Sequence, residues 1–355
     1  MAVHFYPVAV KAVEQETKDC VSVLFDIPAS LHEIFQYTQG QYLTLKANIH
    51  GEEVRRNYSL CSSPLNNEWR IAVKKVEGGV FSTYANTALK AGDIIDVMPP
   101  SGKFFSVLEP SNKKNYLAIA AGSGITPVLS IISTTLAVEP DSSFTLVFGN
   151  RTRHSIIFKE QLEALKNKYL ERVQLIHVLS KERTDAAINQ GRIDDTKLQE
   201  LSKLIDYTKI DECFICGPEE MMLKAKAFVQ QQNPQAKVHI ELFEAKGQKI
   251  KTENNIIEDN STKSTITVKL DGRSFDFKLS HNSESILDAA LEQGADLPYA
   301  CKGGVCCTCK AKLVSGKVKM DVHYGLEPEE IAAGFILTCQ SHPLTESVVV
   351  DYDVK

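Results

Sequence analysis

At 355 residues the chain has room for two or three domains, and 43% hydrophobic with 24% charged residues is the make-up of an ordinary globular protein. A net charge of −5 carries no basic surplus, which argues against a nucleic-acid partner, and no apolar run approaches the roughly 18 residues of a membrane span. The opening "MAVHFYPVAVKAVEQETKD" lacks the basic, apolar and small-residue parts of a secretion signal, so a cytoplasmic protein is expected.

From Val3 to Leu108 the text is short alternating runs broken by turns: "HFYPVAVKAV", "CVSVLFDI", "QYLTLKAN", "VRRNYSL", "EWRIAVKKV" and "DIIDVMP". Period-two alternation at that spacing predicts a small antiparallel barrel or sandwich, interrupted by one helix, "FSTYANTALK". From Lys113 the texture changes. The apolar β-rich runs "NYLAIAA", "SFTLVFGN", "RVQLIHVLS" and "ECFICG" alternate with "TPVLSIISTTLAV", "SIIFKEQLEALKNKYL" and "PEEMMLKAKAFVQQQ", which read as helices. That alternation predicts a parallel sheet covered on both faces, closed by "VHIELFEA".

Residues 246–264 are polar and read as a linker by composition. Beyond them, Asp271–Gly272 between two alternating runs predicts a hairpin. "SESILDAALEQG" predicts a helix capped at Ser283 or a neighbour and stopped by Gly294.

The stretch "YACKGGVCCTCK" then packs four of the nine cysteines into nine residues. Cys301, Cys306 and Cys309 are spaced C-x4-C-x2-C, and Cys339 follows after 29 intervening residues. This is the spacing of a plant-type [2Fe–2S] loop, which must wrap two irons with thiolates and backbone N–H groups. Gly303 and Gly304 suit the close approach, Lys302 would add charge beside the cluster, and Cys307 reads as a spare packed thiol. Structural zinc prefers two close-spaced pairs, and a catalytic dithiol would leave Cys301 and Cys339 idle.

Earlier motifs are weaker singly. Gly78-Gly79-Val80-Phe81-Ser82 before a helix makes either an anion site or a plain turn capped by Ser82. Gly122 and Gly124 form a G-x-G turn into a helix at Thr126–Pro127, with a proline where a dehydrogenase fingerprint has its third glycine. Cys216-Gly217-Pro218 joins a strand to a helix, at the carboxyl edge where α/β ligands bind; a core cysteine is the other reading. Arg56-Asn57-Tyr58-Ser59 sits on a barrel strand.

In this order the motifs resemble the ferredoxin–NADP reductase superfamily followed by a plant-type ferredoxin, an arrangement similar to the reductase components of multicomponent oxygenases. The resemblance covers essentially the whole chain. It implies a multidomain fold: an antiparallel β-barrel FAD domain at 1–110, an α/β parallel-sheet NAD(P) domain at 111–245, the linker 246–264, and a β-grasp ferredoxin domain at 265–355. It also implies roles. Arg56 would neutralise a flavin phosphate, Tyr58 would stack on the ring, and Ser59 would hydrogen-bond near its N5. Gly78, Gly79, Val80 and Ser82 would hold the pyrophosphate, while Gly122, Gly124, Thr126, Cys216, Gly217 and Pro218 would shape the nicotinamide pocket. Phe243 would cover the flavin or nicotinamide face, or serve as a core phenylalanine.

Ser180 and Lys181 match the Ser-Arg of NADP-using relatives, and Arg183, Arg151 and Arg153 stand nearby, so NADPH is expected over NADH. Electrons would pass from NADPH to flavin, to cluster, to an external oxygenase, with the linker letting the ferredoxin domain swing. The texture of "LEPEEIAAGFILTCQSHP" is similar to reductase subunits serving phenylacetyl-CoA ring epoxidases, which implies a di-iron acceptor. A Rieske hydroxylase or a desaturase as acceptor, or a non-catalytic redox sensor or carrier, are the alternatives.

Overall fold

Residues 4–243, 263–281 and 283–354 are described by the structure, a computed structural model, and elements are counted among these residues. They form two units, Phe5–Leu242 and the chain from Phe243 onward.

In the first unit, alternating side chains build β1 (Tyr6–Thr17), β2 (Cys20–Asp26), β3 (Tyr42–Ile49), β4 (Glu52–Ser59), β5 (Trp69–Lys74) and β6 (Ile94–Val97). They pair antiparallel in the order β4-β3-β6-β1-β2-β5. A bridge between Leu60 and Ile71 brings the end of β4 against β5 and closes the barrel. Val8, Val23, Leu43, Leu60, Ile71 and Val97 fill it, each fully buried and each worth about 1.5–3 kcal/mol of burial. Helix α1 (Val80–Thr87) plugs one end with Phe81 and Ala85. It stops short of the expected Lys90 because the N–H groups of Ala88 and Leu89 both turn back to the Tyr84 carbonyl.

The same unit continues through β7 (Asn115–Ala121), α2 (Ile125–Val138), β8 (Ser143–Asn150), α3 (Lys159–Lys168), β9 (Val173–Leu179), α4 (Asp195–Leu201), β10 (Glu212–Cys216), α5 (Glu219–Gln232) and β11 (Lys237–Glu241). The five strands are parallel, in the order β11-β10-β7-β8-β9. Ala118, Ile119 and Ala120 are fully buried, which is why these strands read as continuous apolar runs. The direction of winding reverses between β7 and β10, so a crevice opens beyond their carboxyl ends. Helix α3 starts at Lys159 rather than earlier because Phe158 takes a left-handed φ of 59°. Helix α4 had no sequence expectation; Asp194 caps it by accepting from the Lys197 N–H at 2.9 Å.

The second unit contains β12 (Lys263–Leu270), β13 (Arg273–Ser280), α6 (Ile286–Glu292), β14 (Lys310–Ser315), β15 (Val318–Met320), α7 (Pro328–Ala332), β16 (Phe335–Leu337), β17 (Ser341–Pro343) and β18 (Ser347–Asp351). Its main sheet runs β13-β12-β18-β14-β16, with β12 parallel to β18, a β-grasp arrangement around α6; β15 pairs with β17. Asp271 and Gly272 both have positive φ, 54° and 68°, as a two-residue hairpin turn requires. The cap of α6 is Ser285, whose hydroxyl accepts from the Asp288 N–H at 3.1 Å. Of the expected linker, 246–262 lie outside the described residues, and Lys263 and Ser264 already belong to β12. No helix among the described residues is long and apolar enough to cross a membrane.

Candidate functional site

Three of the expected residues stand on β4. Arg56 is exposed and donates from Nη1 to the Arg55 carbonyl at 2.7 Å, while the buried guanidinium is that of Arg55, paired with Glu53 at 2.8 Å. The Tyr58 ring lies 5.4 Å from Phe81, so β4 and the start of α1 share one surface. Gly78, at φ 73°, and Gly79 lead into α1, and a Cβ on Gly79 would stand 2.5 Å from the Ser82 hydroxyl. That hydroxyl accepts from the Val76 N–H at 3.1 Å and donates to the Gly79 carbonyl at 3.3 Å, so Ser82 shapes the loop; Val80 beside it is exposed. An exposed cation, an aromatic face and a glycine cradle at a helix N-terminus are the donor set that a flavin diphosphate asks for. The residues fit the group.

At the sheet's carboxyl edge the loops after β7 and β10 touch. A Cβ on Gly124 would stand 2.2 Å from the Cys216 carbonyl oxygen, and one on Gly217 would stand 3.2 Å from the Ala121 nitrogen. Gly122, at φ 56°, lies against Lys74 of the barrel; Thr126 donates its hydroxyl to the Ser123 carbonyl at 3.0 Å; Pro218 caps α5. Cys216 is fully buried, and burial, then the Glu241 charge, pushes its thiol far up. The register sets Ala120, Cys216 and Glu241 in one row across β7, β10 and β11. From the barrel side, the buried Ser59 hydroxyl donates to Glu241 Oε2 at 3.3 Å. The strand that carries Tyr58 and the sheet edge that carries Cys216 therefore meet at one hydrogen bond.

Glu241 has no place among the sequence-derived candidates, although a carboxylate ending the apolar run "VHIELF" is the signal that could have found it. Phe243, two residues on, is exposed and opens the second unit. Burial raises the Glu241 pKa to about 8, against the lowering effect of Ser59. Between the ordinary carboxylate value and 8 the folded protein keeps a proton that the unfolded chain has released. Stability therefore falls as pH rises through that window, by up to about 1.4 kcal/mol per pH unit. Glu241→Gln is expected to flatten this fall, gaining melting temperature on wild type steadily from about pH 5 to about pH 8. Parallel melting profiles for the two proteins would refute it.

Ser180, Lys181 and Arg183 are all exposed on the loop after β9. The Ser180 N–H donates to the Asn150 carbonyl and the Lys181 N–H to the Arg151 carbonyl, both at 2.9 Å, so this loop runs beside the one after β8.

In the second unit the α6–β14 loop gathers Cys301, Cys306 and Cys309, and the turn after β16 adds Cys339. Cys306 Sγ is 3.1 Å from Cys301 Sγ, and the Cys309 and Cys339 side chains hydrogen-bond each other. The thiols thus stand as two pairs. Among the described residues, no three His, Cys, Asp or Glu side chains are grouped to hold a single ion, and two pairs are what a two-iron rhomb needs. The Gly303 N–H donates to Cys301 Sγ at 3.3 Å. The Cys306 hydrogen bond, then the surrounding backbone N–H groups, bring the Cys301 thiol down to about 6, toward the thiolate that binds iron. A Cβ on Gly304, at φ 70°, would stand 2.6 Å from Val322 Cγ2, and one on Gly325 would stand 2.5 Å from the Cys306 carbonyl. Thr338 ties the pair Cys309 and Cys339 together, donating its N–H (3.2 Å) and hydroxyl (3.0 Å) to the Cys309 carbonyl. Tyr352 braces it with a 2.6 Å hydroxyl–hydroxyl bond. The residues fit a [2Fe–2S] cluster.

Two details differ from the sequence reading. The Lys302 ammonium is paired with Asp288 at 2.7 Å, so its charge is spent on α6. Cys307 is half-buried, not packed inside.

Three family descriptions match in chain order: an oxidoreductase FAD-binding domain at residues 7–105, an oxidoreductase NAD-binding domain at 118–227, and a 2Fe-2S iron-sulfur cluster binding domain at 268–344. The chain is 48% identical to one component of the 1,2-phenylacetyl-CoA epoxidase of Escherichia coli (strain K12), over 99% of this chain and 98% of that one. It is 33% identical to the 3-ketosteroid-9-alpha-monooxygenase ferredoxin reductase component of Rhodococcus rhodochrous, over 97% of this chain and 95% of that one. In fold it is similar to phthalate dioxygenase reductase, with a TM-score of 0.58 at 24% identity over 98% of each chain.

Proposed function

The chain belongs to the reductase components of multicomponent oxygenases that join FAD-binding, NAD-binding and 2Fe-2S domains in one polypeptide, and we propose that it draws electrons from NADPH for a di-iron epoxidase acting on phenylacetyl-CoA. The carrying observation is the hydrogen bond from Ser59 to Glu241, which sets the barrel strand of Tyr58 against the Cys216 edge of the parallel sheet. A bound flavin supplies the conversion between a two-electron hydride donor and a one-electron iron–sulfur acceptor.

The chain's own residues supply position. Arg56 and the Gly78–Ser82 loop would hold the diphosphate, Tyr58 would stack on the ring, and Ser59, its hydroxyl proton given to Glu241, would stand beside the reacting edge. Gly122–Thr126 and Cys216–Pro218 hold the nicotinamide against it, while Cys301, Cys306, Cys309 and Cys339 hold the irons. The exposed cations Arg151, Lys181 and Arg183 favour the 2′-phosphate of NADPH. The name of the 48%-identical relative supports the choice of acceptor. This reading places the protein in the cytoplasm, where a chain so rich in free thiols stays reduced.

The test begins with cofactor extraction, expected to yield FAD, iron and sulfide from one polypeptide. Ferricyanide reduction should then show higher kcat/KM with NADPH than with NADH. Equal or better efficiency with NADH would defeat the cofactor assignment. Reconstituted with a di-iron phenylacetyl-CoA oxygenase, the protein should support epoxidation. Faster reduction of a Rieske hydroxylase in parallel assays would move the acceptor to that class.

A further inference from the structure

We propose that Arg153 and Glu182 form the selectivity element of the nucleotide site, Glu182 acting as the carboxylate that opposes a 2′-phosphate and Arg153 as the cation that holds it in check. The inference rests on the reading of this sheet edge as the nucleotide site.

Glu182 stands among the cations expected to favour NADPH, and both of its oxygens are engaged by one residue. Oε1 accepts from Arg153 Nε at 2.9 Å, and Oε2 accepts from the Arg153 backbone N–H at 2.7 Å. The Thr152–Ser155 turn fixes that backbone, with the Ser155 hydroxyl bonded to both the N–H and the carbonyl of Thr152. The carboxylate is the more enclosed partner, its side chain 29% exposed against 58% for the arginine. Arg151, Lys181 and Arg183, by contrast, make no ion pair among the described residues.

A second feature lies at this edge. Asn150, the last residue of β8, is buried at 8% exposure, and its Nδ2 has no hydrogen-bond partner among the described residues. Such a donor is one that a bound nucleotide would satisfy. The physical consequence follows from charge. A 2′-phosphate brings nearly two negative charges, so a carboxylate beside it costs affinity unless it is neutralised. The same carboxylate, once released, is the group that accepts a ribose 2′-hydroxyl of NADH. Arg153 thus decides which face the site shows.

The two partners should move selectivity in opposite directions. In full-length holoprotein, Glu182→Gln is expected to raise the ratio of kcat/KM for NADPH over NADH by about two- to fivefold. Arg153→Gln should lower that ratio about tenfold, mostly through KM for NADPH. Inhibition by 2′,5′-ADP should tighten in the first variant and weaken in the second, while inhibition by 5′-AMP, which keeps the ribose 2′-hydroxyl, should stay unchanged in the first and tighten in the second. If both ratios stay within about twofold of wild type, or if Glu182→Gln lowers the ratio, the proposal is overturned, the second outcome meaning that Glu182 only orders Arg153. A wild-type preference for NADH would defeat the NADPH reading alone, because opposite movements of the two variants would still establish the selectivity element.

Discussion

Cys339→Ser protein is expected to come off the column yellow, with flavin bound and iron lost. It should reduce ferricyanide with NADPH at close to the wild-type rate and deliver almost nothing to an oxygenase. Cys339 pairs with Cys309 in the second unit, whereas Ser59, Cys216 and Glu241 all lie in Phe5–Leu242. On the proposed ligand set, removing one thiolate would leave an iron with a single protein ligand, and serine is a poor replacement. The loss of acceptor reduction should exceed the 10- to 100-fold, roughly, of a change in a ligand's supporting residue. Cys307→Ser is the matched control, since that thiol belongs to neither pair, and it should keep its iron. A Cys339→Ser protein retaining wild-type iron and the same electron-spin-resonance signal would remove Cys339 from the ligand set.

Gly124→Ala is expected to have the second largest effect, and for a reason unrelated to backbone freedom. Gly124 has a φ of −61°, which any residue adopts. What it lacks is room: the added methyl would stand 2.2 Å from the Cys216 oxygen, 2.5 Å from its carbonyl carbon and 3.0 Å from the Gly217 nitrogen. All three are backbone atoms, so no side chain can swing aside. The loop after β7 must move away from the end of β10, at a cost of about 1–3 kcal/mol for an overpacked site. On the proposed reading these two loops form the nicotinamide side of the pocket, so a shift near 1 Å should slow flavin reduction by about 100-fold. Stopped-flow reduction at saturating NADPH measures this, with iron content as the check that the second unit is untouched. Unchanged reduction rate and melting temperature would show that the loops do not meet as described.

The cluster loop and the sheet were legible in the sequence because their signals are local. C-x4-C-x2-C lies within nine residues, and buried parallel strands write themselves as uninterrupted apolar runs. What stayed hidden depends on partners distant in sequence. Ser59 and Glu241 are 182 positions apart, and nothing around either names the other. Glu182 has no place among the sequence-derived candidates, because its partner Arg153 lies 29 positions away on the preceding βα loop. Lys302 read as a cation beside the cluster, but Asp288 on α6 had already claimed it. Helix ends were missed for a different reason. Phe158 adopts a left-handed angle that propensity disfavours, and tertiary packing overrides the local preference there.

The topology of the second unit also sets the timing of its assembly. Strand β18 is the last strand of the chain described, yet it lies in the middle of the main sheet, flanked by β12 and β14. Tyr352, just beyond it, braces the turn that carries Cys339. On a ribosome the barrel and the parallel sheet can fold as soon as they emerge, since domains form as units from the N-terminal end. The four thiols cannot be fixed in place until Ser347–Tyr352 has been made and threaded between strands that preceded it by tens of residues. Iron and sulfide would therefore enter only after Ser347–Tyr352 has been made, when the unit Phe5–Leu242 has already emerged.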